Sequence, residues 1–197
     1  MKRERLEELL YQALETEIGG IAVYETALQC VRNDELKDEF EKYHEQTQHH
    51  EEVVREMMES LGLDPEKETP GRRIVRMKGQ ALVAAMQAAL EDGKSEAAEL
   101  IAAECVVDAE MKDHANWDLI GQVAKKLKGD GARALRKAYE EVEDEEDQHL
   151  YHTMGWAREL WIQFLGMPAV LPPPEEEKDV KSAIGAARAR QERRDML

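Results

Sequence analysis

Apolar residues recur along this chain at three- and four-residue steps over long stretches, the spacing that lines up side chains on one face of an α-helix. From about residue 3 to 31, Leu6, Leu10, Ala13, Tyr24, Leu28 and Val31 share such a stripe, and Glu17 falls inside it. Arg32-Asn33-Asp34 breaks the pattern, and Asn33 or Asp34 suits the cap of the next helix. A second helix is expected over about 35–61 through Leu36, Phe40, Tyr43, Thr47, Val54, Met58 and Leu61, with Gly62 as its stop. Pro65 and Pro70 punctuate a loop from Asp64 to Gly71; a crossover helix follows over about 73–91 and breaks at Asp92-Gly93. The third long helix is expected at about 95–127, ended by Gly129-Asp130-Gly131. The fourth runs over about 132–165 through Leu135, Tyr139, Val142, Thr153, Ala157, Leu160 and Phe164.

Two tight hairpins separated by one long connection give an all-α, antiparallel four-helix bundle whose crossover contains an extra helix. Residues 1–167 form this bundle. In 168–197, Pro168 and Pro172-Pro173-Pro174 read as a stiff spacer, and a charged tail follows with a thin apolar stripe of Val180, Ile184 and Ala187. Trp156, Trp161 and Phe164 read as core or as the contact of a homodimer. Met57, Met58 and Met86 read as core filler, and Cys30 and Cys105 as small buried apolar residues.

Composition agrees. Only 12 of 197 residues are Gly and 6 are Pro, and good helix formers dominate the rest. The net charge of −16 disfavours nucleic acid and anionic membranes as partners and favours cations. No stretch approaches the roughly 18–20 apolar residues of a membrane span, and no apolar run follows the charged first residues. A soluble, cytoplasmic protein is the expectation. The two cysteines make neither a disulfide framework nor a CxxC metal motif.

The informative positions are polar residues that interrupt the buried stripes. These are Glu17 on the first helix, His50 on the second, Glu110 with His114 a turn later on the third, and Glu146-x-x-His149 on the fourth. Glu45 and His49 project to solvent in the same phase. A buried ionised Glu is costly unless it is paired or bound to a metal, and four helices each carry such a group near mid-length. Iron or manganese takes hard oxygen donors with one or two imidazoles, and a carboxylate can bridge two ions. The halves also read as weak repeats: Glu17 and Tyr24 match Glu110 and Trp117, Gln29 matches Gln122, and Thr47-x-x-His50 matches Glu146-x-x-His149.

These residues resemble the ferritin-like superfamily. Glu17 with Tyr24, Glu110, and Glu146-x-x-His149 are similar to the ligand positions of bacterioferritin and rubrerythrin. Leu36-Lys37, Thr47, Leu61-Gly62, Met77-Lys78-Gly79, Leu100-Ile101-Ala102-Ala103 and Glu145-Glu146 resemble a small bacterial branch of ferritin-like stress proteins. The resemblance covers roughly residues 5–165. It implies a centre of two iron ions, or manganese, with Glu17, Glu110, Glu146 and His149 as ligands; the helix stripes add His50 and His114 to the expected set. It also implies a ferroxidase- or peroxidase-type oxidoreductase acting on Fe(II), dioxygen or peroxide, with iron storage or a metal-poor interaction and stress module as alternatives. An external electron donor is expected because rubredoxin-type cysteines are absent. The chain departs from the pattern at Thr47, where a Glu is expected. Glu51, His44 or His114 are the candidates to fill that gap; otherwise one metal is held firmly and the second loosely or not at all.

Overall fold

The computed structural model describes residues 2–91, 93 and 95–197, and among these every regular element is helical. Helix α1 (Arg3–Cys30) and α2 (Asp34–Ser60) form a hairpin. Helix α3 (Pro70–Ala89) crosses over, and α4 (Glu96–Lys126) and α5 (Asp130–Phe164) form the second hairpin. Two short helices, α6 (Pro174–Glu177) and α7 (Ala183–Glu192), complete the order before a final 3₁₀ turn.

The boundaries have local causes. Asn33 Oδ1 accepts from the Leu36 amide at 3.0 Å and Ser95 Oγ from the Ala98 amide at 3.1 Å, so each caps a helix start. Gly62, at φ 72°, takes the left-handed conformation just past α2. The crossover helix begins three residues before its expected start. Pro70, read as loop punctuation, sits in the first turn, where it has no hydrogen bond to lose, and Thr69 Oγ1 accepts from the Arg72 amide at 3.1 Å. In the expected break after this helix, Asp92 lies outside the described residues.

Helix directions follow from the two apolar clusters. The first joins the end of α1 and the start of α2 to the start of α4 and the end of α5, through Tyr24, Ala27, Leu36, Phe40, Ala102, Val106 and Trp156. The second joins the opposite ends through Leu10, Leu14, Val54, Met58, Trp117, Ile120, Leu135 and Val142. So α1 and α5 run one way and α2 and α4 the other. Helix α3 lies along α1 and touches α4. Its approach is close at Gly19 and Gly79, where a Cβ on Gly79 would stand 3.5 Å from the Gly19 Cα.

The Pro-rich stretch does not act as a spacer. It turns back onto α5: Pro173, Pro174 and Glu175 are buried, Glu175 pairs with Arg158 at 2.6 Å, and Trp156 Nε1 donates to Glu176. Buried Glu159 accepts from Arg193 Nε at 2.7 Å and from the Val170 amide at 2.9 Å, which pins both ends of the segment. Of the tail's expected stripe only Val180 is buried; Ile184 and Ala187 face solvent. Trp156 is core, whereas Trp161 and Phe164 are exposed.

A buried ion pair ties the crossover to α1. Arg72 Nε donates to Glu15 Oε2 at 2.6 Å with both side chains almost fully enclosed, and Arg76 adds a second contact to Glu15. Glu15→Ala leaves Arg72 buried and charged. We expect a loss of about 3–5 kcal/mol in urea unfolding. Arg133→Ala, which removes the exposed pair to Asp130, should cost at most about 1 kcal/mol.

Candidate metal centre

Between the two apolar clusters lies a layer of buried polar side chains drawn from all four long helices. Glu17 comes from α1, His50 from α2, Glu110 and Asp113 from α4, and Glu146 and His149 from α5; each is at most 5% exposed. Two groups of donor atoms converge, each within 4.8 Å: His50, Glu146 and His149, and Glu17, Asp113 and Glu146. Glu146 belongs to both.

Aromatic donors brace the layer crosswise. Tyr24, seven residues after Glu17 on α1, donates to Glu110 Oε1 on α4 at 2.7 Å. Trp117, seven residues after Glu110 on α4, donates from Nε1 to Glu17 Oε1 at 2.8 Å. The repeat of Glu and aromatic at this spacing therefore has a physical reading: each helix supplies the donor for the other's carboxylate. One oxygen of each Glu is fixed, and the second is left free.

The histidines are oriented from outside the layer. His149 Nε2 lies 3.0 Å from Gln46 Oε1, which places the ring hydrogen on that nitrogen. Its Nδ1 lone pair then faces Glu110 Oε2 at 3.6 Å and Glu146 Oε1 at 3.8 Å. His50 has Glu145 Oε2 at 2.8 Å from Nε2 and Glu146 Oε1 at 2.8 Å from Nδ1. The Tyr43 ring packs against His149 at a tilt of 43° with centroids 4.2 Å apart, and its hydroxyl lies 2.8 Å from His152 Nδ1, which also meets Glu39 at 3.2 Å.

Among the described residues six buried side-chain atoms have no hydrogen-bond partner, and five belong to this layer: Glu17 Oε2, Glu110 Oε2, Asp113 Oδ1, Glu146 Oε2 and His149 Nδ1. Buried polar atoms are normally satisfied, so five acceptors turned toward one another need a cation or protons among them. Burial, reinforced by Asp113 and Glu146, holds the Glu17 carboxyl well above the usual range, and burial with Asp113 and Glu110 does the same to Glu146. Burial pushes Glu110 up to about 7 against the Tyr24 hydrogen bond, and burial with the Glu110 charge pushes Asp113 up to about 7. Burial and the neighbouring His50 hold His149 well below the usual imidazole range, so it stays neutral. These are the protonation states of a metal-free cluster. The chemistry of the donors fits a pair of divalent cations: four carboxylates, one of them common to both donor groups, and two imidazoles.

Of the six residues expected here, Glu17, His50, Glu110, Glu146 and His149 meet in the layer; His114 does not. It lies beside Asp147, Nε2 to Oδ1 at 2.8 Å, between the layer and solvent. The inward seam of α4 runs Ala103, Val106, Glu110, Asp113, Trp117, Ile120 and Ala124, in alternating steps of three and four. That seam turns Asp113 inward and His114 half outward. Asp113, missed in the sequence, was legible from this spacing. The other candidates to replace Thr47 also stay outside: His44 faces Glu25 at 3.7 Å and Glu51 pairs with Arg55. Thr47 itself is buried, and its hydroxyl donates to the Tyr43 carbonyl at 2.9 Å. Glu45 and His49 are exposed, as the helix phase predicts. Comparison with protein-family models, with curated proteins and with solved structures found no match to this chain.

The raised carboxyls fix the sign of a pH dependence. Each binds its proton more readily folded than unfolded, so the metal-free fold holds extra protons between about 4.5 and about 7. Their contribution is greatest at the acid end and is lost as pH rises through that window. His149, held low, opposes them below the ordinary imidazole range, but it is one group against four; carboxylates with lowered values, such as Glu39 and Glu145, act below the ordinary carboxylate range. Chelator-treated protein should therefore melt at lower temperature at about pH 8 than at about pH 5, and saturating Mn(II) should abolish or reverse that trend. An identical slope with and without Mn(II) in scanning calorimetry would contradict the cluster as a cation site.

Proposed function

We propose that this chain is a ferritin-like helical bundle that holds two iron ions, with manganese as the alternative, and oxidises Fe(II) with peroxide or dioxygen. The observation that carries the reading is the neutral His149 Nδ1 facing two carboxylate oxygens at 3.6 and 3.8 Å with no hydrogen bond between them. Lone pairs meet there, and a cation between them relieves the repulsion. The up-down-down-up course of the four long helices, with one crossover, supports the same reading. So does the donor count: Asp113 supplies the carboxylate that Thr47 does not, and four carboxylates with two imidazoles result.

The residues divide the work. Glu146, common to both donor groups, would serve both ions. His50 and His149 would supply nitrogen to one ion, and Glu17 and Asp113 oxygen to the other. Glu145 and Gln46 hold the imidazoles in orientation, and Tyr24 and Trp117 hold the two terminal glutamates. The apolar clusters above and below limit water, and protons carried by the metal-free carboxyls leave as cations enter. Bound iron supplies electrons singly, so a pair supplies the two that reduce hydrogen peroxide to water. The chain holds no cysteine-based electron carrier of its own, so repeated turnover draws electrons from an external donor protein.

Metal analysis of protein purified without chelator should give up to two ions per chain. Anaerobic Fe(II) loading followed by peroxide should oxidise the iron faster than free Fe(II) in the same buffer. Glu146→Gln preserves shape but removes the shared charge, so affinity should fall by more than the roughly 10- to 100-fold that loss of a supporting contact costs. Glu45→Gln, on the exposed face, should change neither affinity nor rate. Equal effects from the two substitutions, or no uptake of metal by the unmodified chain, would overturn the proposal.

A further inference from the structure

A cavity of about 240 Å³ opens between α4 and α5 and reaches inward as far as Glu146. Its wall is acidic: Asp118, Glu143 and Asp147 line it, with His114 and Tyr151 beside them. Ser182 and Ala183, at the start of α7, form part of the same lining, so the returning C-terminal segment borders the opening. Glu146 is 2% exposed, and its Oε2 has no hydrogen-bond partner. The cavity thus joins a rim of carboxylates to an unsatisfied buried carboxylate that also belongs to both donor groups of the central layer.

We infer that this cavity is the entry vestibule of the centre, with His114 and Asp147 as a transient divalent-cation site that hands its ion to Glu146. The inference rests on the metal reading of the central layer. His114 Nε2 and Asp147 Oδ1 lie 2.8 Å apart in the cavity wall, so one imidazole and one carboxylate are placed together on the way to Glu146. One imidazole and one carboxylate, each partly exposed, are too few donors to retain a divalent ion against the deeper layer. The pair therefore passes ions on and does not store them. The flanking carboxylates of Asp118 and Glu143 add a negative field that concentrates cations at the mouth and raises the entry rate. This gives His114 a role its helix phase denies it inside the layer: it stands one residue beyond Asp113, on the approach side.

Stopped-flow uptake of Co(II) by the full chain, followed by visible absorption, tests the assignment. Combined His114→Gln and Asp147→Asn should slow uptake roughly tenfold or more and flatten its dependence on ionic strength, because an acidic cleft accelerates entry by about 10- to 1,000-fold. The final number of ions bound should equal that of the unmodified chain. Asp118→Asn, on the exposed rim, should act in the same direction with a smaller effect and leaves the interior packing alone. If the unmodified chain loads Co(II) and neither variant changes the rate, the vestibule is wrong while the centre stands. A lower final stoichiometry in the double variant would also overturn it, because His114 or Asp147 would then be a ligand of the centre. If the unmodified chain takes up no Co(II), centre and vestibule fall together.

Discussion

Four carboxyl groups enclosed in the middle of a helical bundle set the terms for everything around them. Each costs several kcal/mol to bury in ionised form, whereas a fully buried Leu or Phe contributes about 1.5–3 kcal/mol. Left ionised and unpaired, Glu17, Glu110, Asp113 and Glu146 would offset the gain from a comparable number of the best core residues. The surrounding structure is arranged to lower that cost. Tyr24 and Trp117 each satisfy one oxygen, and His50 satisfies one of Glu146. What remains, five acceptor atoms without a donor, falls to protons in the metal-free chain and to cations in the proposed one.

The same constraint explains why the bundle is cross-braced. A donor on the carboxylate's own helix would move with it, so fixing the carboxylate against the opposite helix needs a bond across the interior. Tyr24 and Trp117 supply two such bonds between α1 and α4, in opposite senses, and Asn116 Nδ2 adds a third to Thr16 Oγ1 at 3.0 Å. These contacts lie between the two apolar clusters, where hydrophobic packing alone would leave the helices free to slide. Register along the bundle is therefore set by polar contacts, and burial energy by the apolar ends. On the other side of the layer, Tyr43 connects His149 to His152 and Glu39, a polar path leading outward along α2 and α5.

The helices and their order were legible because the apolar steps of three and four are long and uninterrupted, and because Gly62 and the Gly129–Gly131 stretch punctuate them. Five of the six expected site residues lie in the layer because a charged residue inside an otherwise apolar stripe is a strong local signal. Asp113 was missed because a stripe through Val107 and Glu110 leads to His114 one turn later and passes over Asp113. The seam through Val106 and Asp113 differs from that phase by one residue, and one residue is about 100°. Contacts that join distant segments were not legible at all. Gln46 and Glu145 look like ordinary surface positions on their own helices and acquire meaning only when α2 meets α5. The C-terminal segment read as a spacer because prolines signal stiffness. Nothing local to it announces that Arg158 and Glu159 wait on α5 to receive it.

The buried layer has no carboxylate from α2 and two from α4, Glu110 and Asp113, and this makes its two donor groups unequal. Gly20 and Thr47 bring α1 and α2 so close that even a Cβ at position 20 would stand 3.2 Å from the Thr47 methyl. A glutamate at 47 would have to thread between two helices that the small residues hold together. Asp113 approaches from the opposite side of the layer, where its shorter side chain meets Glu17 and Glu146. The repeat between the halves therefore breaks at Thr47 while surviving in the bracing pair of aromatics. One donor group is then all oxygen, and the other contains two imidazoles with the shared Glu146. Imidazole suits iron, whereas an oxygen-only group suits harder ions such as magnesium or manganese. Two positions built from different donors do not bind one metal equally. In the proposed centre the oxygen-only group would therefore hold its ion differently from the group with two imidazoles, even though Asp113 fills the place left by Thr47.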